Sequence, residues 1–271
     1  MNLSRRSIYV IAIAFAAFIP RGVHAQITRD TTHWNDEELY QEDKTSPSFF
    51  SVGGGLLGGY FMPDFSTFNT NVAQPFVKQN YRQQVWMIGG AGFVTLPWIK
   101  NVRVGGMGMS GTSSDCGCTN DTIQGIAVNR YLTYSVGYAA LTIDYVLPLR
   151  TGRFHIIPGV ALGYGGVDIY ARQAQNRSNF DVGQFTKEFD SSNLYRTHTY
   201  TSHFFLYMPQ IQFEYSPTGY MMLRLSAGYQ GTSMGTWTVD QGLSLGPGPI
   251  FDGINGSGLV ASLGVFLGLF Q

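Results

Sequence analysis

Formal charge is nearly absent from the strand-like parts of this sequence. Eight such stretches lie between Phe50 and Phe270, and inside them only four side chains carry a formal charge. The four are Arg103, Asp144, Glu214 and Arg224. A soluble β-sandwich keeps a water-facing side on most strands, so it has no reason to clear charge from all of them. A barrel whose outer surface meets lipid does, and the sequence therefore predicts strands that cross a membrane.

The composition agrees with this interpretation. Charged residues make up 13% of the chain, against about 25% in soluble domains. The chain also has 34 glycines in 271 residues and 14% aromatic residues, which suits transmembrane strands flanked by aromatic girdles. No run of 18 apolar residues is present to form a spanning helix. The net charge of +0 gives no reason to expect a nucleic-acid partner.

The N-terminal residues have the pattern of a secretory signal peptide. Arg5 and Arg6 form a basic region, Ile8–Ile19 an apolar core, and Val23-His24-Ala25 a small-residue cleavage site. The residues that follow are polar and acidic, and they cannot bury much surface. We expect a signal peptide over residues 1–25, a polar periplasmic leader over 26–49 and an outer-membrane barrel domain over 50–271.

The strand-like stretches alternate between short and long connections. The stretches are Phe50–Met62, Gln83–Leu96, Val102–Gly111, Tyr131–Leu147, Phe154–Val167, His203–Tyr215, Tyr220–Thr232 and Ser257–Phe270. The long connections are Pro63–Tyr81, Thr112–Asn129, Asp168–Thr201 and Ser233–Gly256. This order predicts an all-β, eight-stranded, antiparallel, up-and-down transmembrane β-barrel with short periplasmic turns and long extracellular loops. Ten strands result if Thr122–Asn129 and part of a long loop form another hairpin, and a soluble β-sandwich is the rival fold.

The signal peptide, the eight alternating stretches and the closing Leu267-Gly268-Leu269-Phe270 resemble the small outer-membrane barrels of the OmpA, OmpX, OmpW and opacity type. The resemblance covers residues 50–270 and is one of pattern. It implies a location in the outer membrane of a Gram-negative envelope and a barrel surrounded by outer-membrane lipid.

The strand charges are predicted to meet inside the barrel. Arg103, Asp144, Glu214 and Arg224, together with His155, lie at similar distances from the short turns and can all point inward by parity. We expect them to form one polar network that plugs the lumen, because unpaired charges would be costly in a narrow dry barrel. The alternative is that Arg103 and Glu214 extend to water at the membrane surface.

Two prolines lie on lipid-facing positions of strands that the barrel makes neighbours. Pro158 and Pro209 each remove a ladder hydrogen bond. They could weaken a lateral seam that admits hydrophobic compounds, as the resemblance to OmpW-type barrels implies. The simpler interpretation is that they mark bulges or bends.

The remaining candidates for chemistry are few. Cys116 and Cys118 predict a strained disulfide at a loop tip, since secreted chains meet an oxidising compartment. Ser202 and His203 are adjacent, so on a strand their side chains point to opposite faces and cannot act together. We predict no catalytic residues, no metal and no cofactor.

The predicted function is that of a non-enzymatic outer-membrane protein. It would support the envelope, bind other envelope proteins through its long extracellular loops, or form a subunit of a complex. The alternative is a conduit or binder for hydrophobic small molecules near Pro158 and Pro209. A lipid-modifying outer-membrane enzyme is the weaker third hypothesis.

Overall fold

The computed structural model describes residues 50–81, 84–123, 125–147, 153–175, 196–240, 242–245 and 254–270. The predicted signal peptide and leader lie outside the described residues. No helix in these ranges is long and apolar enough to cross a membrane.

The described strands form one antiparallel sheet, most of which closes on itself. The strands are β1 Ser51–Pro63, β2 Val85–Thr95, β3 Val102–Ile123, β4 Ile126–Tyr145, β5 Phe154–Gln175, β6 Arg196–Thr218, β7 Met221–Met234, β8 Thr238–Val239, β9 Leu243–Ser244 and β10 Gly258–Phe270. Each of β1 to β6 pairs with the next, β7 pairs with β10, and β10 pairs with β1. These pairings confirm the predicted eight-stranded up-and-down barrel.

The two additional strands lie outside the closed barrel. The short strands β8 and β9 come from the last predicted loop, and β8 pairs with Tyr200 and Thr201 of β6. The segment Thr122–Asn129 is not an extra hairpin, as the ten-strand variant supposed, but the tip of the β3–β4 hairpin. Gly125 supplies the turn there with a φ of +81°, a conformation that glycine adopts without steric cost.

Four neighbouring strands are much longer than the sequence indicated. The lengths of β3 to β6 are 22, 20, 22 and 23 residues, against 13, 11, 14 and 13 for β1, β2, β7 and β10. The predicted loop Thr112–Asn129 and the described parts of Asp168–Thr201 are therefore mostly strand. The extension, residues 112–123, 126–135, 168–175 and 196–203, is called the wall below.

A band of apolar side chains surrounds the outside of the barrel. On β10, Leu259, Leu263 and Leu267 are exposed while Val260 and Phe266 on the other parity are buried. Aromatic pairs mark both edges of the band, with Tyr60 and Trp86 at 5.1 Å and Phe154 and Tyr215 at 4.6 Å between ring centroids. No charged residue occupies an outward position of the band in the described strands. The chain is thus an integral barrel of the outer membrane, and the predicted alternation is confirmed.

The first predicted loop folds back inside the barrel. After β1 the chain forms α1 (Ser66–Phe68), a π-helical turn (Asn69–Ala73) and α2 (Gln74–Val77). Residues 64–81 are called the inner segment. Its Phe65 and Phe68 are each 1% exposed, and their rings lie 4.8 and 6.1 Å from the ring of Tyr134 on the inward face of β4. The loop folds inward because burying its apolar side chains is more favourable than leaving them in water.

Lipid contact predicts a depth-dependent effect of charge on β10. Replacing Leu263, near the middle of the band, with Arg is expected to destabilise the barrel by about 2–4 kcal/mol, whereas Leu269→Arg at its edge costs about 0–1 kcal/mol. The measurement is reversible chemical unfolding in phospholipid vesicles. Equal losses at the two positions would contradict a lipid-facing band.

Candidate functional site

The five predicted lumen residues are buried at one end of the barrel, and Glu214 is the centre of their contacts. Arg103 donates from Nη1 to Oε2 and from Nη2 to Oε1, both at 2.9 Å. Arg224 donates from Nε to Oε1 at 2.8 Å. Its Nη2 also lies 2.8 Å from that oxygen, but without the alignment of a hydrogen bond. One carboxylate thus binds two guanidinium groups in a charge-assisted geometry.

Asp144 is the second carboxylate of this layer. Its Oδ1 accepts a hydrogen bond from Gln212 Nε2 at 3.0 Å, and its Oδ2 lies 3.8 Å from Arg103 Nη2. The strand pairings bring these groups to one depth, since Arg103 lies opposite Asp144 on the β3–β4 ladder and Glu214 lies opposite Arg224 on the β6–β7 ladder. His155 lies opposite Glu214 on the other side of β6 and is buried.

Two aromatic rings complete the layer, and the sequence analysis did not identify them. The Arg103 guanidinium carbon lies 4.2 Å from the centroid of Phe93, while that of Arg224 lies 4.6 Å from Phe93 and 4.2 Å from Phe266. Ring faces attract cations, and the attraction strengthens where water is excluded. The residues before and after each ring on β2 and β10 are on the lipid-facing side of the strand. Strict alternation therefore places both rings in the lumen, and this signal could have identified them.

Small and neutral side chains occupy the lumen beside the charged layer. Ser226 and Ser262 share a hydrogen bond of 2.6 Å. The cavity that touches Thr142, Gln210 and Gln212 measures only about 10 Å³, roughly the space of a single water molecule. A Cβ atom at Gly264 would lie 2.5 Å from Leu57 Cδ2, so a larger residue there would force that side chain to move. The described side chains at this level are therefore closely packed.

The charged layer is formally neutral. It contains two guanidinium groups and two carboxylates, and each of the four residues is between 0% and 7% exposed. Removing water from four charges is expensive, and the mutual contacts offset that penalty only while all partners are present. We infer that the layer acts as one unit, in which the loss of one partner leaves the others poorly compensated.

The prolines do not interrupt the ladder on which the sequence analysis placed them. Twenty consecutive pairs join β5 and β6 with no register shift, including Pro158 with Ile211 and Val160 with Pro209. The breaks lie on the far side of each proline. The β6–β7 ladder lacks pairs between Tyr207 and Gln210, and the β4–β5 ladder ends at Gly159 before the single bridge at Ile156. Each missing N–H therefore faces the other neighbouring strand.

The other sequence candidates do not form a site in the described residues. Cys116 and Cys118 belong to β3 rather than to a loop tip, and their side chains lie outside the described residues. Ser202 is fully buried, whereas the ring of His203 stacks on Tyr164 at 5.7 Å on the outer surface. No group of three His, Cys, Asp or Glu side chains in the described ranges could hold a metal ion.

Solved structures of small outer-membrane barrels match the chain at low identity. Ail, the attachment invasion locus protein of Yersinia pestis, solved in complex with the heparin analogue sucrose octasulfate, has a TM-score of 0.36 and 7% identity, covering 82% of this chain and 98% of its own. A major outer membrane protein from Thermus thermophilus has a TM-score of 0.41 and 10% identity, covering 81% and 99%. The N-terminal β-barrel domain of Pseudomonas aeruginosa OprF has a TM-score of 0.33 and 12% identity, covering 81% and 99%.

Scores this low add no argument to what the strand pairings establish. No family model and no curated protein matches the chain.

Glu214 is the residue whose loss should disturb the layer most. Glu214→Gln removes the charge that Arg103 and Arg224 share and is expected to destabilise the barrel by about 3–5 kcal/mol. Ser226→Ala, which removes a neutral hydrogen bond in the same lumen, serves as the matched control with an expected loss of about 1 kcal/mol. The free energy of unfolding of both variants is measured by chemical unfolding in vesicles. If Glu214→Gln lowers it no more than Ser226→Ala does, the charged residues do not act as one unit.

Proposed function

We propose that this protein is a non-enzymatic integral barrel of the outer membrane with a plugged lumen. It acts as a structural or partner-binding protein of the envelope, or as a subunit of a larger complex. The observation that carries the proposal is that side chains fill the lumen at two separate depths. A pore needs a continuous aqueous path, and packed side chains at two depths argue against one.

The first closure is the charged layer around Glu214, and the second is the inner segment. The rings of Phe65, Phe68, Tyr81 and Tyr134 pack edge to face at 4.8 to 6.1 Å. Val77 and Tyr81 are almost fully buried. Arg130 of β4 donates from Nη1 to the carbonyl oxygen of Phe76 at 3.1 Å, which fixes the end of α2 to the wall. A polar closure at one end and an apolar closure towards the other support a permanent plug.

The wall supports a role in binding partners outside the membrane. Its outward face carries hydroxyl groups in place of the apolar side chains of the band. Thr112 and Ser135 share a hydrogen bond of 3.0 Å, and Thr201 donates to Asp168 at 2.7 Å. A paired sheet holds these groups in fixed positions, and rigid polar surfaces lose little entropy when they bind another protein.

The plugged lumen is tested by conductance. The purified barrel in planar lipid bilayers is expected to give no stable channel above the protein-free baseline, because the charged layer and the inner segment both block the path. Heat-dependent gel migration of the same preparation verifies that the barrel is folded. Reproducible open steps from folded protein would overturn the proposal.

The role of the wall is tested by photo-crosslinking in native membranes. A photoreactive residue in place of Thr199, on the wall, is expected to give a discrete protein adduct. The same residue in place of Leu225, in the lipid-facing band, is the control and should give lipid adducts. Identical lipid adducts at both positions would remove partner binding from the proposal.

We also propose, as an alternative, a conduit or binder for hydrophobic small molecules near the two prolines. The unpaired steps of the β6–β7 ladder beside Pro209 favour it, because a strand pair without hydrogen bonds separates more readily. Behind the gap the lumen is occupied by the buried side chains of Met208 and Gln230, so passage requires both to move.

Pro209→Ala tests the alternative, since it restores a backbone N–H towards β7. A conduit at this point predicts slower transfer of an apolar fluorescent probe across vesicle membranes that contain the variant. Pro217→Ala, at the end of β6 next to the turn into β7, is the control substitution. Transfer equal to that of protein-free vesicles in all samples would exclude the conduit.

A further inference from the structure

A cleft lies between the inner segment and the concave face of the wall. Its volume is about 550 Å³, within the range of about 300–1,000 Å³ that is typical of small-molecule sites. The inner segment contributes Asn71, Val72, Pro75 and Phe76 to it, and the wall contributes Ile123, Ala171, Gln173, Arg196, His198 and Tyr200.

One part of the cleft is apolar and partly aromatic. Val72 and Pro75 form its surface on the inner segment, together with the ring of Phe76. Ala171 and the ring of Tyr200 face them from inward positions of β5 and β6. Two rings and small aliphatic groups suit a flat apolar ligand, since such surfaces favour stacking and exclude water.

The two sides of the cleft are fixed to one another by Arg130. Its Nη1 donates to the Phe76 carbonyl oxygen at 3.1 Å, and its Nε donates to Gln173 Oε1 at 3.0 Å. Its guanidinium carbon also lies 5.5 Å from the Phe76 ring centroid. These contacts connect the inner segment to β4 and β5 and orient the Gln173 amide. A cleft held in this way loses little freedom when it binds a ligand.

The other part of the cleft carries two basic side chains. Arg196 and His198 lie two residues apart on β6, so their side chains are on the same face. His198 Nδ1 lies 2.5 Å from Asp240 Oδ2, and Asp240 Oδ1 accepts a hydrogen bond from the Thr199 N–H at 2.9 Å. The bonds from the Thr199 amide and the His198 ring lower the pKa of Asp240, which keeps this carboxylate ionised.

This arrangement selects the charge of the ligand. Asp240 holds the His198 ring through Nδ1, so Nε2 is the ring nitrogen that faces away from this carboxylate. Asp240 contacts His198 but is not itself among the described residues that line the cleft. Guanidinium groups bind carboxylate, sulfonate and phosphate through paired donors.

We propose that this cleft binds a small organic anion with a flat apolar body and one acidic group. The body lies between Phe76 and Tyr200, and the acidic group contacts Arg196 and His198. The proposal does not depend on the plugged lumen, because a ligand can bind in the cleft whether or not ions pass through the barrel.

The experiment uses the full barrel in lipid nanodiscs and 2-naphthoate as the probe. Binding is followed by saturation-transfer difference NMR and calorimetry, with empty nanodiscs as the reference. We expect saturable binding of 2-naphthoate and markedly weaker binding of neutral 2-naphthamide. Arg196→Gln should raise the dissociation constant about tenfold, which is the usual effect of losing one hydrogen bond to a charged group.

Two control variants separate binding in the cleft from general effects of charge and size. Arg172 is exposed on β5 beside Gln173 but on the outward parity, so Arg172→Gln should leave the dissociation constant unchanged. Ala171→Trp fills the cleft and should abolish binding, whereas Tyr170→Trp on the outer face should not. Unchanged heat-dependent migration verifies that each variant is folded.

The outcomes that overturn the proposal are equally specific. A 2-naphthoate signal equal to that of empty nanodiscs would exclude the site. Equal weakening by Arg196→Gln and Arg172→Gln would reduce the interaction to nonspecific attraction between the anion and the positive charges of the wall.

Discussion

Lipid around the barrel is the constraint on which the rest of the structure depends. A backbone N–H or C=O without a partner is very costly in hydrocarbon, so strands that cross a membrane must pair on both sides and close. Closure forces side chains to alternate between lipid and lumen. Every polar group that the outside cannot accept, including Glu214 and Arg224, must then lie inside.

The side chains that point inward must pack within a narrow lumen, and they do so in two different ways. At one end, two arginines, two carboxylates and the rings of Phe93 and Phe266 contact one another. Farther along, the lumen receives the apolar side of the inner segment instead. In the charged layer, the ring of Phe266 lies in space that Gly264 leaves open.

The features that depend on the alternation of side chains could be predicted from the sequence. The length of strands β3 to β6 and the inward folding of the first loop could not. Parity along β7 and β10 was sufficient to place Leu225 and Leu263 outside. The wall was missed because Thr112–Asn129 is polar, and in water a strand needs no apolar outer face. The inner segment was missed because Phe65 and Phe68 find their partner, Tyr134, far along the chain, and no local pattern encodes that contact.

The most direct test is a scan of oxygen accessibility along β7 in lipid vesicles. Spin labels are attached to single cysteines at positions 222 to 228, in a background where Cys116 and Cys118 are replaced by serine. The account predicts collision rates with oxygen that alternate, high at Leu223, Leu225 and Ala227 and low at Met222, Arg224 and Ser226. Rates without this two-residue period, or with the opposite phase, would contradict a barrel whose alternate residues meet lipid.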